Sequence, residues 1–536
     1  MRNKSATHFV LPLLLAVVMA GGMVLSCTQD QPPPLYPLAQ GKAELTPYHP
    51  EAPVEMILER HSENKILKSP SQQPDDRFGE SIALTLNTLV VGAPNTSSGG
   101  TVWVFDLDHS NTAPIQLIPP HLHSGDKYGT AVAIEPGGNF IAVGAPHTKV
   151  DNKINAGVVY MWKKSETGNN WNFDGAYSRE DLPANSKLGS TVAMNRETLL
   201  AGAPFTPLFI TTTSTSGEVI TTTMPVDRFA NFRTVAFHGV VATWMRDSNG
   251  DLNEDNLLQP NPYIANTQVG SALFLEGAQA IVGAKTARAS NQVEAGKAYI
   301  YLRRQSGWSN QPIVSISQTG NSIFKGNDNT ISGNGPNHHF GSAVCIKGSV
   351  ALAGTPGDSE GGLLRSGSVN VYERIDSAWN PVQYISAKIK DRSDPKKFRE
   401  DRSDDDMFGS AVGITDTHFV IGAPKKSINN QEQAGSVYVF QIKSGSNPME
   451  EEFVVQLVQA KPVANSEFGA ALACTPDIIA VSAPGTQDFS TLGQIYIFNR
   501  TEIASQISWG VPVAAIQPAS MPLQSATSAP NPVTAP

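Results

Sequence analysis

The stretch 407–424 reads MFGSAVGITDTHFVIGAP. An aromatic–glycine step leads into small residues and a short apolar segment. A polar break follows, and a second apolar run ends on Gly-Ala-Pro. A third apolar segment, AGSVYVF at 434–440, begins ten residues later. The phrase recurs as RFGESIALTLNTLVVGAP (77–94) and KYGTAVAIEPGGNFIAVGAP (127–146). Looser copies are KLGSTVAMNRETLLAGAP (187–204), QVGSALFLEGAQAIVGAK (268–285), HFGSAVCIKGSVALAGTP (339–356) and EFGAALACTPDIIAVSAP (467–484). Their anchoring glycines are Gly79, Gly129, Gly189, Gly270, Gly341, Gly409 and Gly469, in steps of 50, 60, 81, 71, 68 and 60 residues. A fixed phrase at a long, elastic period is the mark of a repeat architecture.

Each copy reads as short strands. Small residues and one apolar residue after the glycine (Ile82, Val132, Val192, Leu273, Val344, Val412, Leu472) make a first strand. The all-apolar run that follows suits a strand buried on both faces. The third strand starts after a glycine and alternates in bulk, as in TVWVF, VVYMW, KAYIY, SVNVY and QIYIF. A fourth is opened in places by Trp171, Trp308, Trp379 or Trp509. No segment keeps a 3.6-residue period, so the domain is all-β.

Four antiparallel strands, seven times, predict a seven-bladed β-propeller of four-stranded antiparallel blades. Inner strands converge on an axis with little room, which suits Gly, Ser and Ala. The residues before the glycines (Phe78, Tyr128, Leu188, Val269, Phe340, Phe408, Phe468) are expected to wedge between sheets, beside a glycine that permits close backbone approach. Tandem small sandwiches would need a separate core in every unit of about 60 residues, which units of that size rarely sustain. Either NKILKSP (64–70) or PVAAIQP (512–518) could supply the strand that closes the ring.

The phrase resembles the FG-GAP repeat, the unit of the integrin α-chain propeller and of many bacterial surface and periplasmic proteins. The resemblance covers about 450 residues and is strongest in copies one, two and six. Copy four has Lys285 in place of the proline, and copy seven has Ser482 in place of the first glycine of Gly-Ala-Pro. Many such blades carry a calcium loop, Asp-x-Asn-x-Asp-Gly, between their first two strands. The corresponding links here (TLNT, EPGGN, NRET, EGAQ, KGS, TDTH, TPD) are too short and too poor in acids to carry that ligand set over.

The chain has 536 residues, 16% of them charged, and a formal charge of −9, which points away from a nucleic-acid partner. Its N-terminus, MRNKSATHFVLPLLLAVVMAGGMVLSC, has a basic start and an apolar stretch containing Pro and Gly, then Ser26 before Cys27. That pattern is a secretory signal rather than a spanning helix. Val24-Leu25-Ser26-Cys27 resembles a bacterial lipoprotein box, which implies a lipid anchor at Cys27 and a place in the cell envelope, at the outer membrane. The expected organisation is a signal peptide at 1–26, a Pro-rich tether at 27–60, a propeller at 61–515 and a Pro/Ala/Ser/Thr-rich tail at 516–536. Cys345 and Cys474 lie in blades that are not neighbours and read as small buried hydrophobes.

Few motifs point to chemistry. DSNGDLNED at 247–255 sets Asp247, Asn249, Asp251, Asn253 and Asp255 in alternate positions, as calcium ligands would be. It falls in a hairpin turn, and Leu252 stands where an EF-type loop needs glycine, so a plain Asn-Gly turn is the preferred reading. GDSEG at 357–361 matches a nucleophile elbow formally, but no helix is expected after it. His121, His123, His338 and His339 read as loop histidines. No catalytic residue and no cofactor are expected.

In an antiparallel blade, the second-to-third link and the link to the next blade leave from the same face. That face holds the longest segments: 205–238, 318–339 and 388–406. Long loops on a rigid scaffold commonly carry function, and the integrin resemblance implies this face for ligands. The expected function is a monomeric, non-enzymatic, lipid-anchored propeller that binds a protein or glycan partner, with Phe209, Arg228, Phe229, Phe232 and Arg233 as anchors. The alternative is a propeller hydrolase or lyase acting on polysaccharide. Converging carboxylates around the axis would favour the enzyme; small and apolar side chains there would favour the binder.

Overall fold

Runs such as LVVGA and FVIGA have no polar face, so they can form only a strand covered on both sides, and they lie second from the axis in every blade. The computed structural model describes residues 60–61, 65–71, 73, 75–109, 112–168, 170–207, 209–213, 219–223, 237–260, 266–289, 292–316, 337–376, 378–390, 398–443, 450–485 and 492–499. The seven predicted blades are all present.

From the axis outward, blade 1 runs Ser81–Thr85, Thr88–Ala93, Thr101–Asp106 and Ile115–Leu117. Blade 2 is Ala131–Ile134, Phe140–Ala145, Val158–Lys164 and Trp171–Tyr177; blade 3 is Thr191–Met194, Thr198–Ala203, Val240–Arg246 and Leu252–Leu258. Blade 4 has Val269–Glu276, Gln279–Ala284 and Lys297–Arg304, with its outer edge divided between Gly307–Trp308 and Val314–Ile316. Blade 5 is Ala343–Lys347, Val350–Thr355, Ser368–Ile375 and Ala378–Ile385. Blade 6 is Ala411–Ile414, His418–Ala423, Ser436–Lys443 and Glu450–Leu457, with Arg60–His61 added in parallel along its outside. Among the described residues the only helical turn is Glu360–Gly362.

Blade 7 resolves the closure left open by the sequence. Its inner three strands, Leu472–Cys474, Ile478–Ala483 and Gln494–Asn499, come from the end of the repeat array. The fourth is Lys65–Lys68, paired antiparallel so that Ile66 faces Tyr496 and Leu67 faces Ile495. The alternative segment, 512–518, lies outside the described residues, as do Trp509, Cys27 and the tail. Arg60, assigned above to the tether, already pairs with blade 6.

The core lies between blades rather than inside them. Seven buried clusters each join two neighbours, and one of them (Leu67, Phe78, Ile82, Leu89, Ile495, Ile497) joins blade 7 to blade 1. Each wedge residue is fully buried. Phe408 shows how one works: its backbone bridges Gly367 of blade 5, while its ring meets Tyr438 and Phe440 of blade 6 edge-on at 5.4 and 6.4 Å.

The glycines of Gly-Ala-Pro have a role beyond ending a strand. A Cβ on Gly144 would lie 1.9 Å from the carbonyl oxygen of Gly189 in the next blade. Gly92, Gly202, Gly283, Gly354 and Gly422 meet the glycine of the next blade's phrase in the same way. At these six seams the contact is backbone to backbone and leaves no room for a Cβ. In blade 7, Ser482 takes this position and turns its hydroxyl back onto Ala471 N–H at 2.9 Å.

Cys345 is buried as expected, whereas Cys474 is half-exposed. Neither thiol is in a disulfide, and they flank blade 6 at Ile414, with Cys474 Sγ 3.8 Å from the Ile414 carbonyl oxygen.

Candidate binding face

The links between the first and second strands span two to five residues in every blade. The opposite end is built differently. Second-to-third links run 146–157, 285–296, 356–367 and 424–435 in blades 2, 4, 5 and 6, and 204–239 in blade 3. Two ribbons rise from this end. Phe209–Thr213 pairs with Val219–Thr223 inside the blade 3 link, and Lys388–Lys390 pairs with Phe398–Glu400 between blades 5 and 6. The first ribbon starts from a closed base, where Pro207 bridges Phe237 and the Phe205 and Phe237 rings meet edge-on at 5.6 Å. Of the five proposed anchors, Phe209 opens this ribbon; Arg228, Phe229, Phe232 and Arg233 lie outside the described residues, as does most of 318–339.

Backbone strain marks the rim of the same face. Two residues before each repeat glycine, φ is left-handed: Arg77 (57°), Lys127 (61°), Lys187 (56°), Gln268 (51°), His339 (56°), Met407 (54°) and Glu467 (54°). Such a backbone costs an ordinary residue about 1–2 kcal/mol. Interblade hydrogen bonds offset it. Lys187 N–H donates to Asn155 O at 3.0 Å, and Leu188 N–H to Ala156 O at 2.9 Å. His339 to Glu294, Met407 to Arg365 and Glu467 to Gln433 repeat the stitch at 3.0–3.1 Å. The residues on either side, such as Ser186 and Leu188, are buried, so the middle side chain belongs to a ring around the axis. The sequence held the signal: at this position stand Arg, Lys, Lys, Gln, His, Met and Glu, after a small or acidic residue in six copies (His338 in blade 5) and before an aromatic or aliphatic one.

The rim charges are unevenly matched. Arg77 pairs with Glu80 (2.5 Å) and Glu467 (3.4 Å), and Lys425 also pairs with Glu467. His339 meets Glu294 at 3.2 Å. Blades 2 and 3 differ. Lys127 Nζ donates to Asn95 Oδ1 at 2.7 Å, and Lys187 Nζ sits 4.6 Å from the centre of the Phe205 ring. Among the described residues, no carboxylate forms an ion pair with either lysine. His147, which follows the Gly-Ala-Pro of blade 2, is held below the usual imidazole range by burial and by the charges of Lys187 and Lys127, with Asp126 opposing.

A buried network fixes the link that carries the second ribbon. Lys426 Nζ donates to Asp406 at 3.0 Å, to Ser403 Oγ at 3.3 Å and to the carbonyl of Asp401. Tyr438 OH donates to Asp401 at 2.7 Å, and Gln456 Nε2 reaches both Asp401 and Tyr438 at 3.2 Å. Burial pushes the Asp406 carboxyl up to about 6, against the pull of Lys426. Because the folded state holds this proton more tightly than the unfolded chain does, the stabilisation from Asp406 is complete below about pH 4 and lost as pH rises to about 6. In urea unfolding, wild-type stability minus that of Asp406→Asn should fall by on the order of 2–3 kcal/mol across that window. A pH-independent difference contradicts the assignment.

The other sequence candidates are dispersed. Asp247 caps its own turn, accepting N–H groups of Asn249 and Asp251 at 2.9 and 3.0 Å and Asn253 Nδ2 at 3.0 Å. Asp255 instead accepts Trp308 N–H of blade 4 at 2.9 Å and Thr243 at 3.2 Å. The turn and the blade seam therefore divide these acids between two tasks. Among the described residues, no three His, Cys, Asp or Glu side chains gather as metal ligands would. Ser359 is followed by the single turn Glu360–Gly362, where no helix was expected, and its hydroxyl accepts Arg365 N–H at 3.0 Å. His338 sits by Asp358 (3.6 Å) in blade 5, whereas His123 sits by Asp126 (3.7 Å) before blade 2.

Rigid blades with an elaborated loop face define a seven-bladed β-propeller, a fold that fits binding and adhesion. Residues 398–440, from the second ribbon strand into the third strand of blade 6, match the family model described as FG-GAP repeat. No curated protein matches the chain in sequence. Among solved structures, a candidate 6-phosphogluconolactonase from Bacteroides uniformis is 10% identical, covering 70% of this chain and 98% of that one, with a TM-score of 0.33.

Proposed function

We propose that the protein is a non-enzymatic binding module of the cell envelope, presenting its loop-rich face to a protein or glycan partner. One observation carries the reading: both ribbons and the charged rim occupy a single end, while the other end is pared to short turns. The innermost strands support it as well. They consist of small, apolar and hydroxyl residues apart from Glu276 and Lys347, each at the end of its strand. Carboxylates for general acid and base chemistry would have to come from elsewhere. The leader and Cys27 support export and anchoring by lipid, at the outer membrane on its periplasmic or surface side. The reading needs no cofactor, no nucleic acid and no second copy of the chain.

The closed base at Pro207–Phe237 allows the first ribbon to be removed. Replacing 208–236 with a short Gly/Ser turn should leave the melting temperature within about 2 °C, because surface loops tolerate such changes. Capture of envelope components by the purified protein should drop severalfold. Undiminished capture would remove this ribbon from the binding surface.

A further inference from the structure

We infer that the rim sector formed by Lys127, His147 and Lys187 is a subsite for the carboxylates of an acidic polysaccharide. The inference rests on the binding-face reading and names the chemistry of its ligand. Three observations carry it. The two lysines occupy the same repeat position in consecutive blades, each held by a left-handed backbone at the rim. Elsewhere on the rim the cations are matched by Glu80, Glu467 and Glu294, whereas these two have an amide and an aromatic ring as partners. The chain as a whole carries −9, whereas this sector gathers two ammonium groups.

The neighbouring groups favour sugar over peptide. Phe205, half-buried under Lys187 and braced by Phe237, sets apolar aromatic surface directly beside the cation, of the kind that packs against the C–H face of a pyranose. Asn95 beside Lys127, and the Asn155–Asn185 amide pair (3.0 Å) at the Lys187 stitch, supply donors and acceptors for hydroxyls. A peptide would seek main-chain pairing, but the backbone N–H groups of Lys187 and Leu188 are already committed across the blade seam. Recognition here falls to side chains. A fold that repeats its cations blade by blade also suits a ligand that repeats its anions.

The fold supplies its own test residue. Gln268 holds the equivalent position in blade 4 with φ of 51°, so glutamine is compatible with this backbone. The full chain and its Lys127→Gln/Lys187→Gln variant should be titrated calorimetrically with polygalacturonate, neutral dextran and poly-glutamate. Polygalacturonate should bind the wild type, and should bind the variant at least about tenfold more weakly at an unchanged melting temperature. Raising salt to about 0.5 M should weaken wild-type binding, and dextran should not bind. No binding of polygalacturonate, binding unchanged in the variant, or equal loss of poly-glutamate binding would overturn the inference. Ribbon-dependent capture that persists alongside any of these would leave the binding-face reading standing.

Discussion

Replacing Gly144 with alanine should destabilise the propeller by at least about 3 kcal/mol. The added carbon would fall 1.9 Å from Gly189 O and 2.8 Å from Gly189 C, atoms of the neighbouring blade that no rotamer can move aside. The φ of Gly144 is not left-handed, so the cost is steric rather than conformational. Gly175 provides the control. A Cβ there meets only the Tyr177 ring, at 3.4–3.6 Å, and Gly175→Ala should change stability by less than about 1 kcal/mol. Urea unfolding of the three proteins checks this. Equal, small effects at both glycines would mean that the seams are not closed as described.

The second large effect concerns closure. Shortening the chain to begin at Ser69 removes Lys65–Lys68 and leaves Gln494–Asn499 as an unpaired edge. Leu67 leaves the cluster that joins blades 7 and 1, exposing Phe78, Ile495 and Ile497. An open ring also presents a free strand edge for association. The shortened protein should lose at least several kcal/mol of stability and aggregate at concentrations where the full chain is monomeric. Light scattering and thermal unfolding read both outcomes. A shortened chain that stays monomeric with unchanged stability would exclude 65–68 as the closing strand.

Much of this fold was legible because its core lies between identical neighbours, so the same constraints recur seven times in the chain. The wedge residues and the two-sided second strands could be read directly. Other features depend on contacts across space. The Gly of Gly-Ala-Pro looked like punctuation before a proline, and only the adjoining blade shows that it is a packing contact. Closure was ambiguous because 64–70 and 512–518 both read as short strands, and only the register with 494–497 separates them. The Thr-rich runs FITTT and VITTT have the β-branched composition of strands but sat inside a segment read as loop. The rim ring was missed because its members share no chemistry; what they share is a backbone conformation. Asp255 belonged to an apparent ligand series until the seam to Trp308 claimed it.

Crosslinking between Lys68 and Gln494 tests the closed seven-bladed ring most directly. These residues are register partners on the outer strands of blade 7, and one of them is exposed. In Lys68→Cys/Gln494→Cys, mild oxidation should give an intramolecular disulfide, identified by mass spectrometry as a peptide joining the two positions in the monomer. Lys68→Cys/Asn499→Cys, with the partner moved to the far end of the strand, should not form one. Failure of the first pair to join, or joining only between separate chains, would contradict the account.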